Sequence, residues 1–69
     1  MFEDRGPGWE QLPASPEDLD LVEEALNTAQ REGLVSGSDF NRIYFNIRAA
    51  ETLGDLEACL QRIPTPQAE

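Results

Sequence analysis

Apolar residues recur at helical spacing in three blocks along the chain. Leu19, Val22, Leu26 and Ala29 follow one another at 3-4-3 spacing, widened by Ala25. Phe40, Ile43, Tyr44, Ile47 and Ala50 form the second stripe, and Leu56, Cys59, Leu60 and Ile63 the third. Each block opens on the same short phrase, a hydroxyl residue, an acid three positions on and then a large apolar residue: Ser15-x-x-Asp18-Leu19, Ser36-x-x-Asp39-Phe40 and Thr52-x-x-Asp55-Leu56. A hydroxyl there accepts from an orphan backbone N–H, the acid reaches back to the cap N–H, and its charge suits the positive end of the helix dipole. Three capping boxes predict three helices, over residues 16–32, 37–51 and 53–63.

The stops agree with the starts. Pro16 stands at the first helical position, where its missing N–H costs nothing. Gly33 supplies the left-handed residue that closes the first helix, and Leu34 folds back toward Ala29 as in a Schellman motif. Val35 and Phe40 bracket the second cap as a hydrophobic staple, and Pro64 ends the third helix. Ile43, Tyr44, Phe45 and Ile47 also favour strand, so residues 38–51 carry the weakest helical signal. The expected fold is all-α: a small three-helix domain over 15–64, an irregular N-terminal tail over 1–14 that is flexible or docked, and a frayed tail over 65–69. Its expected core is Leu19, Val22, Leu26, Phe40, Ile43, Ile47, Leu56, Leu60 and Ile63. Gly6-Pro7-Gly8 interrupts any period in the tail, whose Phe2, Trp9 and Leu12 either fold back onto the helices or serve a partner.

Length makes stability the next question. A single domain of 69 residues with one cysteine and no histidine has neither a disulfide nor the commonest metal ligand. Good helix packing or a second chain must supply what those would have given. Fourteen acids against five arginines leave a net charge of −9, which repels phosphate backbones and anionic headgroups and disfavours nucleic-acid and membrane partners. The charge is uneven. Residues 1–32 hold nine acids against Arg5 and Arg31, a balance of −7, whereas 36–63 hold four against Arg42, Arg48 and Arg62, a balance of −1. The chain has no apolar run of the roughly 20 residues needed to span a bilayer, and Met1-Phe2-Glu3-Asp4 does not resemble a signal peptide. A lone cysteine fits a reducing compartment, so a cytoplasmic location is expected.

Candidate chemistry is thin. Cys59 lies on the third stripe with no His or Lys to lower its pKa, and core packing is the expected role. Asp18-x-Asp20 lacks the Gly and terminal Glu of a calcium loop. Glu23 and Glu24 point about 100° apart and cannot share a substrate. No enzymatic activity, cofactor or metal is expected. Two apolar residues fall off the stripes: Leu21 on the first helix and Phe45 on the second. Either one of these is covered by Trp9, Phe2 or Leu12 from the tail, or it is an exposed anchor for another chain.

Glu32-Gly33-Leu34-Val35-Ser36-Gly37-Ser38-Asp39-Phe40-Asn41-Arg42 resembles the phrase "Gly, apolar, Ser/Thr, two variable residues, acid, Phe" of bacterial short helical modules. These are the short C-terminal domain family and the small helical domain at the start of some actinobacterial membrane proteins. Ala50-Glu51-Thr52-Leu53-Gly54-Asp55-Leu56 and Ile63-Pro64 continue the second pattern, so the resemblance spans residues 25–64. Gly54-Asp55-Leu56-Glu57-Ala58 is similar to the end of a pentatricopeptide-like hairpin. The resemblance implies interaction or oligomerisation rather than catalysis.

The leading expectation is therefore a protein–protein interaction module, an adaptor or small regulatory subunit. Its partner would be another protein with a basic surface, or a second copy in a homodimer. Asp20, Glu23 and Glu24 would steer the encounter, with no arginine among them, and Leu21, Phe45 or Trp9 would anchor it. Two alternatives share the composition: an acidic inhibitor that imitates nucleic-acid charge in a basic channel, as phage-encoded anti-defence proteins do, and a small helical secretion co-chaperone.

Overall fold

A computed structural model describes residues 2–64 and contains three α-helices: α1 (Pro16–Arg31), α2 (Gly37–Ala49) and α3 (Leu53–Gln61). The frayed tail expected over 65–69 lies outside the described residues. Two short 3-10 turns, Glu3–Arg5 and Trp9–Gln11, precede α1.

Local chemistry sets each helix end. Ser15 Oγ accepts from the Asp18 amide at 3.2 Å, and the Asp18 carboxylate accepts from the Ser15 amide at 3.1 Å, a complete capping box. Thr52 and Asp55 repeat the box at the start of α3. At α2 only half of it forms: Ser36 Oγ accepts from the Asp39 amide at 3.1 Å, and no return bond from the cap reaches Asp39. The far end of α1 closes as a Schellman motif, with the Leu34 amide on the Ala29 carbonyl at 2.9 Å and the Gly33 amide on that of Gln30 at 3.0 Å. Gly33 adopts φ 75°, the conformation this closure requires.

All three helices end one or two residues earlier than the spacing predicts, α1 at Arg31 with Glu32 as its cap. α2 stops at Ala49, because Ala50 is already extended (ψ 135°) on the way to the extended Thr52 that caps α3. One linking residue is too few to turn the chain between two helices, and residues 50–52 are used instead. α3 likewise stops at Gln61, with Arg62 as its C-terminal cap.

The core departs from the expected set in an informative way. Val22, Leu26, Ala29, Ile43, Ile47, Leu56, Cys59 and Ile63 are buried, joined by Leu53 and by Phe2, which is only 1% exposed. Leu19, Phe40 and Leu60 are half-buried at its edge. Phe2 reaches the core because residues 2–14 form a strap across α1 and α3 and not an extended tail. The strap is fastened by the Leu53 amide on the Leu12 carbonyl (2.9 Å) and the Ala14 amide on the Glu51 carbonyl (3.0 Å). Gly54 allows its approach: a Cβ there would stand 3.0 Å from the Glu10 carbonyl oxygen and 3.1 Å from the Glu10 Cβ. With the strap over the start of α3, Leu53 is fully covered.

Arg5 fixes the strap's other end. Its guanidinium lies 5.8 Å from the Phe2 ring centroid and donates to Asp18 Oδ1 at 2.6 Å. Asp18 is thus both a cap residue and the buried half of an ion pair. Burial pushes its carboxyl up, but the Ser15 amide, the Arg5 guanidinium and the Ser15 hydroxyl together outweigh it, and the pKa falls below the ordinary 3.8.

Candidate protein-binding surfaces

The strap covers the core and leaves both off-stripe apolar residues open. Leu21 is 51% exposed and Phe45 71% exposed. Trp9 packs inward, half-buried, with its ring centroid 6.3 Å from that of Phe2, so it is a structural residue of the strap and not a cover for Phe45. The nearest ring to Phe45 is its neighbour Tyr44, edge-on at 6.4 Å, and Tyr44 in turn stacks on Phe40 at 6.1 Å.

The two anchors do not form one patch. Arg48 of α2 donates to Glu23 Oε2 at 3.1 Å, so Glu23 marks the side of α1 that faces α2. Leu21 stands two residues before Glu23, about 200° around the helix, and turns away from that side. This ion pair also corrects the expected acidic set. Glu23 is half-buried and paired with an arginine, leaving Asp20 and Glu24 as the exposed members. Arg48 lies near Asp20 as well, whose charge adds a small part to a rise in the Arg48 pKa. That rise comes first from the Glu23 hydrogen bond and then from the charges of Tyr44, when ionised, and Glu23.

Helical spacing then defines what surrounds Leu21. Glu17 stands one turn before it and Glu24 one turn after, both exposed, with half-buried Ala25 on the following turn. Leu21 is an apolar knob with an exposed carboxylate one turn to either side, while Asp18, three residues before it, is buried and held by Arg5. Spacing alone shows Glu17 beside Leu21, although the acid was not among the expected site residues. The Arg48–Glu23 pair, 25 residues apart in the chain, has no local signal.

Phe45 has different surroundings. The exposed positions of α2 are Gly37, Ser38, Asp39, Asn41, Arg42, Phe45, Asn46, Arg48 and Ala49, so its only acid is in the first turn. A shallow groove of about 260 Å³ runs between α2 and α3, lined by Asn46, Ala49, Ala50, Asp55, Ala58, Cys59 and Arg62. A second, of about 280 Å³, lies where the α1–α2 loop meets the end of α3 and includes Leu34, Val35, Ile43 and Arg42. Cys59 is the one thiol on either groove. Burial pushes its pKa up, Asp55 adding slightly and Arg62 opposing, so it stays protonated and weakly nucleophilic at neutral pH.

Among the described residues no group of three or more His, Cys, Asp or Glu side chains converges as a metal site would require, and no helix is long and apolar enough to cross a membrane. No family model, no curated protein and no solved structure matches the chain.

Proposed function

We propose that this chain is a non-enzymatic protein–protein interaction module, an adaptor or small regulatory subunit, that binds a basic partner through the outer surface of α1. The observation that carries this reading is Leu21, half exposed on a folded helix and flanked at one-turn spacing by Glu17 and Glu24. Carboxylates of one sign raise the encounter rate with a basic surface, and an apolar side chain seated in a partner's pocket slows departure. The net charge of −9 extends the steering beyond the patch itself. The reducing interior of a cell is the proposed setting.

The test is a binding-kinetics comparison with a partner recovered by affinity capture from the source organism. Leu21→Ala is expected to weaken binding by more than about 1 kcal/mol, roughly fivefold, chiefly through faster dissociation. Reversing the charges of Glu17 and Glu24 is expected to slow association at low salt and to matter little at high salt. Steep loss of affinity with salt combined with no effect of Leu21→Ala would replace this reading with that of an acidic mimic of nucleic acid.

A further inference from the structure

The most exposed large apolar side chain of the described residues lies outside the α1 surface, on the helix face poorest in acids. We propose that this α2 face is a self-association surface, where Phe45 of one copy enters the α2–α3 groove of a second copy.

Shape is the first support. Phe45 is 71% exposed, and Ala49 follows it by one turn on the same side of α2. Ala49, with Asn46, Ala50, Ala58 and Cys59, lines the groove of about 260 Å³. A cavity of about 150 Å³ already houses a benzene ring, so the groove has room for a phenylalanine ring. Knob and hole side by side on one face satisfy the requirement of a two-fold interface. When two α2 helices cross in opposite directions, each Phe45 meets the other copy's groove, and the contact closes at two chains. The small side chains of Ala49 and Ala58, both exposed, let the partner backbone come close.

Charge selects the occupant. A second copy brings a net charge of −9, so it can dock only where acids are matched by arginines. The outer surface of α1, with Glu17 and Glu24, repels it. The α2 face does not: Arg42 and Arg48 stand there against Glu23 and Asp20 of α1, and in the groove Arg62 stands against Asp55, so its charges balance. A basic partner is drawn the other way, toward α1. Area sets the strength. A standard interface takes roughly 800 Å² from each partner, about a sixth of this chain's 4767 Å². α2 has 13 residues and is about 20 Å long, which places the contact at the small end of stable interfaces and predicts a concentration-dependent dimer.

Sedimentation equilibrium from low micromolar to millimolar concentration tests this. The wild-type mass is expected to rise from one chain to two, while Phe45→Glu and Ala49→Glu remain at one chain over the whole range. Both positions are exposed, so helical circular dichroism and the unfolding midpoint are expected to match wild type. If one variant loses its fold, the other decides. Leu21→Ala is expected to dimerise normally, which separates this face from the α1 surface. A wild-type mass of one chain at millimolar concentration overturns the proposal. Dimers that survive both substitutions overturn it too, because the contact then lies elsewhere. A monomer that loses affinity for a different protein on Phe45→Glu would assign the face to that protein instead.

Discussion

Replacing Phe2 with Ala is expected to unfold a large fraction of the molecules. Phe2 is 1% exposed, packs on Trp9 and lies under the Arg5 guanidinium, so its removal leaves a cavity where the strap meets the core. Truncating a buried Phe costs about 3–5 kcal/mol, and a core of this size supplies only roughly 3–5 kcal/mol in all. Urea unfolding followed by circular dichroism is expected to show a midpoint near zero denaturant for Phe2→Ala. Phe2→Leu keeps most of the apolar volume and should retain a clear transition. An unchanged midpoint for Phe2→Ala would mean that Phe2 does not dock in the core in solution.

The second large effect is expected at Asp18. Asp18→Ala removes the partner of Arg5, the acceptor for the Ser15 amide at 3.1 Å and the acceptor for the Ser15 hydroxyl at 2.9 Å. Breaking a fully buried pair costs about 3–5 kcal/mol, but the Arg5 side chain is 44% exposed and regains water, so a loss of about 2–3 kcal/mol is expected. The sign of its pH dependence follows from the lowered pKa. The folded form holds the carboxylate more tightly than the unfolded chain does, so the stabilisation is fully present above the ordinary value of 3.8 and is lost as pH falls through the lower folded value. The stability difference between wild type and Asp18→Asn, measured by urea unfolding across pH, should therefore be constant at neutral pH and shrink in acid. A difference that grows in acid would contradict the pairing.

Most of α1 was legible because its signals are local. Ser15, Pro16, Gly33 and Leu34 each act within one or two turns, and the structure shows the box, the N1 proline and the Schellman bonds they announce. The off-stripe positions of Leu21 and Phe45 were also legible, since period alone places them away from the core. The strap was not. Phe2 has no periodic neighbours, Gly6-Pro7-Gly8 interrupts the segment, and its burial comes from contacts with helices far along the chain. The Arg5–Asp18 bond spans 13 residues and Arg48–Glu23 spans 25, distances at which spacing says nothing. Leu53 was missed for the same reason: its position just inside the α3 cap gives no sign that Glu10 and Leu12 lie over it. Ser36 shows the opposite case, a local signal only half realised, because Asp39 makes no return bond to the cap.

Both proposed surfaces depend on one structural fact, that the strap covers the core and not the exposed anchors. A double-mutant cycle between Trp9 and Phe45 measures it directly, by urea unfolding at a concentration where the chain is a single copy. Phe45→Ala is expected to change stability by less than about 0.5 kcal/mol, the range of an exposed surface change. Trp9→Ala is expected to cost about 1–3 kcal/mol, below the cost for a fully buried aromatic because Trp9 is half-buried. The two effects should add within about 0.5 kcal/mol, as for residues that share no partner. A coupling of about 1 kcal/mol or more would show Trp9 lying over Phe45 in solution, and the open α2 face would not exist.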